Sequence, residues 1–129
     1  MTKVLGISGS LRRGSYNSAL LRAATRLMPA DATLEIASIR GIPLYDADVE
    51  AQGFPPTVTQ LKEAIIAADG VLLATPEYNN SLPGVFKNAI DWLSRPPSDV
   101  KRVFSGRPFA LLGASGGSFG TTLSQAAWL

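Results

Sequence analysis

The side chains best suited to chemistry fall in three short segments. The first is Gly9-Ser10-Leu11-Arg12-Arg13-Gly14-Ser15-Tyr16-Asn17. Gly9 and Gly14 permit positive φ and close approach of a ligand to the backbone. Ser10, Ser15 and Asn17 supply short hydrogen-bonding groups, and Arg12 can pair with an anion. Asn17 suits the N-cap of a following helix, which would aim its free N–H groups at the loop. Together these features describe a phosphate cradle; the plainer alternative is a polar turn before a capped helix. The nucleotide-triphosphate pattern G-x-x-x-x-G-K-[ST] fails here, because Ser15-Tyr16 stands where Lys-Ser/Thr is required. The dinucleotide pattern G-x-G-x-x-G is absent as well. A single monoester phosphate is the ligand left.

The second segment, Thr75-Pro76-Glu77-Tyr78-Asn79-Asn80-Ser81-Leu82-Pro83-Gly84, is stiffened by two prolines. It presents Tyr78 and Asn79, an aromatic face and an amide that suit a flat heteroaromatic ring; a simple surface turn is the competing reading. Glu77 reads as a structural or rim carboxylate rather than an acid or base. The third, Ala114-Ser115-Gly116-Gly117-Ser118-Phe119-Gly120, lets backbone approach a planar ligand closely, or serves as a glycine turn before a helix.

What the chain lacks narrows its chemistry further. Its 129 residues make one domain, 1–129, and 46% hydrophobic against 17% charged residues supplies a real core. With no cysteine there are no disulfides, thiolate metal sites or thiol nucleophiles. With no histidine there is no Ser-His-Asp triad and no imidazole base. Catalysis would rest on an imported cofactor. The net charge of +2 comes from scattered residues, which suits a small anionic ligand and not nucleic acid. The longest strictly apolar run, Ala64–Ala68, is far too short for a membrane span, and the N-terminus has no signal-peptide stretch. The expectation is a cytoplasmic protein without a membrane partner.

The elements that must position these loops alternate. Val4–Ser8, Thr33–Ile39, Val71–Ala74 and Phe109–Gly113 read as strands. Helices are expected over Asn17–Met28 (Leu20, Leu21, Ala24, Leu27 and Met28 on one face), over the stretch marked by Val58, Leu61, Ala64, Ile65 and Ala68, over Gly84–Ser94 (Val85, Phe86, Ala89, Ile90 and Leu93 inward), and from Thr121 onward. Gly41–Pro56 is expected to be a loop and Arg95–Arg107 a linker. Strand–helix alternation implies a parallel, doubly wound α/β sheet with helices on both faces, and it gathers the three segments at the carboxyl edge.

In combination these motifs resemble the NADPH-dependent FMN reductase family of the flavodoxin-like fold, nearest the bacterial chromate and quinone reductases. The resemblance is carried by Gly9-Ser10-Leu11-Arg12 through Ser15-Tyr16-Asn17, Pro76-Glu77-Tyr78-Asn79, Lys87-Asn88-Ala89-Ile90-Asp91-Trp92, Gly113-Ala114-Ser115 through Gly120, and Ile42-Pro43-Leu44-Tyr45-Asp46-Ala47-Asp48. It runs from residue 3 to about residue 120. It implies a three-layer α/β/α fold and FMN held at its phosphate by Ser10, Arg12, Ser15 and Asn17, with Leu11 and Tyr16 in the same cofactor loop. It further implies that Pro76, Glu77, Tyr78 and Asn79 line the ribityl chain and isoalloxazine, with Ser115, Gly116 and Gly117 on the far side. The implied reaction passes hydride from NADPH or NADH to FMN, then electrons to a small-molecule acceptor: a quinone, a flavin, an azo dye or a metal oxyanion. No side chain is then catalytic and no metal is bound. A homodimer or homotetramer is the implied assembly. The alternatives are a flavin-binding electron carrier, disfavoured by the basic balance, and an inactive remnant of the family.

The departures begin near residue 121. The family follows its glycine loop with small-small-Arg-small-Gln, and Thr121-Thr122-Leu123-Ser124-Gln125 places Leu123 at the arginine. The family also adds a fifth strand and a final helix, which this chain is expected to lack, leaving apolar surface that favours association. Asp46-Ala47-Asp48-Val49-Glu50 is not a calcium loop, since Ala51 and Thr57 occupy the positions of the required Gly and Glu. Arg95, Lys101, Arg102 and Arg107 read as a solvated basic stretch, and Trp92 as a packing residue, with a subunit contact one possible use.

Overall fold

The computed structural model describes all residues, 1–129. Four parallel strands, β1 (Thr2–Ser8), β2 (Ala32–Ala37), β3 (Gly70–Ala74) and β4 (Phe109–Leu112), form one sheet in the order β2-β1-β3-β4. The helices are α1 (Tyr16–Leu27), α2 (Ala47–Ala51), α3 (Pro56–Ala67), α4 (Gly84–Leu93), α5 (Val100–Phe104) and α6 (Thr122–Trp128), with a 3₁₀ turn at Pro97–Asp99. The strand–helix reading holds, and so does the flavodoxin-like parallel sheet.

Alternation along the central strand divides the core. Leu5 and Ile7 of β1 join Val71 and Leu73 of β3 on one face, packed with Leu61, Ile65, Phe86, Ala89, Leu93 and Val103. On the other face lies α1, whose Leu21 is wholly buried. A Cβ on Gly6 would come within 3.1 Å of Leu21 and 3.2 Å of Leu34, so α1 lies close against β1 there. Because one helix alone covers this face, burial there is narrower than periodicity predicts: Leu27 and Ile36 are exposed. On α4, Val85 is partly exposed too, while Phe86, Ala89 and Leu93 face inward as expected.

Two stretches expected to be irregular carry short helices. In Gly41–Pro56, α2 is capped by Asp46, whose carboxylate accepts from the Asp48 N–H. That segment is clamped onto α4. Trp92 Nε1 and Asn88 Nδ2 both donate to the Pro43 carbonyl, at 2.8 and 2.9 Å, and Asn88 Oδ1 accepts from the Tyr45 N–H. Trp92 is completely buried, with Tyr45 and Phe54 edge-on to its ring. It is therefore an internal anchor, which corrects the subunit-contact alternative.

In the expected solvated stretch at 95–107, Lys101 stays exposed, whereas Arg95, Arg102 and Arg107 are engaged. Arg95 pairs with Glu50 and Arg102 with Glu63 and Asp99. Arg107 donates to the carbonyls of Ala68, Ile66, Arg102 and Val103, joining the ends of α3 and α5. No helix is long and apolar enough to cross a membrane.

Candidate functional site

The site is built where β1, β3 and β4 end. Ser15, not Asn17, caps α1: its Oγ accepts from the Ser18 N–H at 3.1 Å. This corrects the expected cap and frees Asn17 for another task. Buried in the first turn of α1, Asn17 donates from Nδ2 to the Ala114 carbonyl (3.1 Å) and accepts at Oδ1 from the Ala114 N–H (2.9 Å). One side chain thus copies the pairing of a strand and ties the first loop to the third.

Neither Gly9 nor Gly14 uses positive φ, which corrects that expectation. Gly9 is needed for space: a Cβ there would lie 2.1 Å from the buried Phe86 ring. Gly113 is as confined, its Cβ position falling 2.1 Å from Thr121 Oγ1 and 2.4 Å from the Thr75 carbonyl. The left-handed residues are instead Asn79 (φ 52°) and Asn80 (φ 63°), at the tip of the second segment. Tyr78 and Ser81 exchange both backbone hydrogen bonds across that tip, the pattern of a tight hairpin turn. This holds Tyr78 half exposed beside the cleft.

Glu77 accepts from the Ser124 N–H at 2.9 Å, fastening the second segment to α6, as its structural reading anticipated. Wholly buried Thr75 strengthens the same joint. Its Oγ1 lies 2.9 Å from Ser124 Oγ and accepts from Trp128 Nε1 at 3.1 Å. The hydroxyl of Thr75 gave no sequence signal for this joint, because the partners that tie it to α6 lie about fifty residues away.

The result is an open cleft of about 170 Å³. Ser10, Arg12, Ser15, Tyr16 and Asn17 form one wall; Pro76, Glu77 and Tyr78 form the second, and Ser115 and Gly116 the third. Ala114, which sequence reasoning passed over because it contributes only backbone, completes that third wall. Leu11, Asn79 and Gly117 do not line the cleft. Leu11 packs against the main core, Asn79 shapes its turn, and Gly117 donates to Ser115 Oγ.

The donor set suits a tetrahedral oxyanion. The N–H groups of Tyr16 and Asn17, at the N-terminus of twelve-residue α1, have no partner within the protein. Ser10 and Ser15 accept from backbone N–H groups and keep their own hydroxyl protons for a ligand. Arg12 is in no ion pair and lies 5.3 Å over the Tyr16 ring, poised at the rim. Beyond this polar end, Tyr78 and the backbone of Ala114–Gly116 offer flatter surface. The residues present therefore fit a phosphate that carries an aromatic group, as FMN does.

Comparison with known proteins agrees with this geometry. The family model described as NADPH-dependent FMN reductase matches residues 2–129. An NAD(P)H-dependent FMN reductase of Pseudomonas aeruginosa is 61% identical over 123 residues, covering 95% of this chain and 65% of that protein. A quinone reductase of Escherichia coli K12 is 47% identical over 125 residues, with coverage of 95% and 65%. This chain thus spans slightly less than two thirds of the length of both relatives. Among solved structures, the flavoenzyme NAD(P)H:(acceptor) oxidoreductase FerB of Paracoccus denitrificans superposes with a TM-score of 0.89. It is 38% identical, and the match covers 99% of this chain and 69% of that one.

Proposed function

Because the chain belongs to the NADPH-dependent FMN reductase family, we propose that it binds FMN in this cleft and acts as an NAD(P)H oxidoreductase toward a small-molecule acceptor of the quinone class. The observation that carries the reading is the convergence of three loops, closed by the Asn17–Ala114 pair, on unpaired donors suited to one phosphate.

Ser10, Ser15, Arg12 and the N–H groups of Tyr16 and Asn17 hold the phosphate. Asn17 takes part through its backbone, since its side chain is engaged with Ala114. Pro76–Tyr78 and Ser115–Gly116 flank the ring and keep water from one side of it. The flavin supplies the two-electron chemistry when bound. A chain without histidine or cysteine is sufficient for that task, because its work is binding, orientation and exclusion of water. The quinone class is supported by relatives of Escherichia coli and Burkholderia, named a quinone reductase and a 2-hydroxy-1,4-benzoquinone reductase. A cytoplasmic homodimer or homotetramer belongs to the same reading.

The test is the visible spectrum of the purified protein after FMN is added and the sample desalted. Retention of flavin colour that bleaches anaerobically with NADPH is the expected result. A colourless protein that cannot keep added FMN would overturn the proposal.

A further inference from the structure

A second groove lies on the other side of the first loop, between the carboxyl ends of β1 and β2. It measures about 290 Å³ and is lined by Arg12, Arg13, Arg22 and Arg40, with no carboxylate in its walls. None of these four arginines is in an ion pair. Two are already held in place: Arg12 lies over the Tyr16 ring, and Arg40 donates from Nη2 to the Leu11 carbonyl. Fixing a guanidinium beforehand lowers the entropy lost when it meets a ligand.

The hydroxyls of the groove are biased the same way. Ser8 Oγ accepts from the Ser10 N–H and from Ser18 Oγ, and Ser38 Oγ accepts from the Arg40 N–H. Both keep their own protons undonated within the protein. Arg22 stands one helical turn after Ser18 and so on the same side of α1. Mutually repelling cations, together with hydroxyls that have protons to give, make a surface that an oxyanion completes.

We propose that this groove is a second oxyanion site, selective for a phosphate monoester, that adjoins the cleft assigned to FMN and shares Ser10 and Arg12 with it, its own cations being Arg13, Arg22 and Arg40. A monoester carries a charge near −2 and three terminal oxygens, which matches several guanidinium groups and hydroxyls better than a carboxylate does. Two sources share that chemistry: the 2′-phosphate of NADPH and a free phosphate monoester. Only the first source rests on the oxidoreductase reading; the site itself does not.

The test is calorimetric titration of the full chain, flavin-free and FMN-saturated, with inorganic phosphate, adenosine 2′-monophosphate and adenosine at constant ionic strength. Both phosphates are expected to bind with and without FMN, and adenosine not at all. In the FMN-saturated protein, where the first cleft is filled, the R13Q/R22Q double variant is expected to weaken phosphate binding about tenfold or more, while FMN affinity stays within about twofold. Arg26→Gln, on α1 outside the groove, is expected to change neither. If adenosine 2′-monophosphate binds more tightly than phosphate, the site is assigned to the dinucleotide; if equally, to a free monoester. The site is overturned if FMN abolishes phosphate binding, if R13Q/R22Q binds like the parent, or if R26Q is as damaging as the double variant. A protein that takes no FMN yet binds phosphate through Arg13 and Arg22 would sink the flavin reading and leave this one standing.

Discussion

Arg12 in the first loop and Asn17 in the first turn of α1 hold different things. Asn17 is buried, and its amide satisfies both backbone groups of Ala114. Replacing it with alanine leaves a donor and an acceptor unpaired, at a cost of about 1–3 kcal/mol. Asn17→Ala is therefore expected to lower the thermal midpoint and to weaken FMN retention, because the first and third walls part together. Arg12 is exposed and holds up nothing in the core. Arg12→Gln is expected to leave the thermal midpoint unchanged and to cost about tenfold in FMN affinity, read by fluorescence titration. The polar residues of the first loop could be found from sequence, since their types and spacing state what they bind. Ala114 and Thr75 could not. One acts through backbone alone and the other through partners distant in the chain, and neither leaves a local pattern.

The strands and four main helices announce themselves by apolar spacing and by the prolines and glycines between them. Helices α2 and α5, of five residues each, are too short to show a period. They exist because tertiary partners hold them: Asn88 and Trp92 clamp the segment before α2, and Arg107 gathers the carbonyls at the end of α5. The glycines of the loops separate by the same logic. At Gly113 an added methyl meets backbone and a buried threonine, so Gly113→Ala is expected to destabilise by about 1–3 kcal/mol. At Gly14 the nearest atom is the movable Arg12 guanidinium, 3.1 Å away, and Gly14→Ala is expected to stay within about 0.5 kcal/mol of the parent. Paired denaturant melts of the two variants check both statements.

Across the molecule, three ion pairs join elements far apart in the chain, Arg102–Glu63 being the most exposed. Buried Lys62 of α3 donates to Asp99 at 2.9 Å and to the Arg95 carbonyl at 2.6 Å, while Arg95 reaches Glu50 of α2. Hydrogen bonding from Lys62, aided by Arg102, holds the Asp99 carboxyl below its ordinary value of 3.8. The Tyr45 hydroxyl, aided by Arg95, holds Glu50 below 4.5. In both cases burial pulls the other way and is outweighed. A carboxylate with a depressed pKa binds fewer protons folded than unfolded, so stability rises with pH through that range. The contribution is complete above the ordinary values and is lost as the pH falls through the lowered ones. Thermal midpoints are expected to drop below about pH 4.5, and an E50Q/D99N double variant to show a shallower drop. Parallel strands and the position of the ligand edge follow from strand–helix alternation. The unequal covering of the two faces does not, because it depends on which side of the sheet each crossover takes.

The Asn17–Ala114 bond spans 97 residues, and β1 pairs only with strands that follow it in the chain. On the ribosome, β1, β2 and β3 can assemble while Ala114 has still to be made. The nascent protein then carries a formed sheet whose phosphate loop has no opposite wall. Closing so long a loop adds an entropic delay after β4 is released. Flavin uptake during translation would thus wait for the stretch that holds β4 and Ala114, after β1, β2 and β3 have paired.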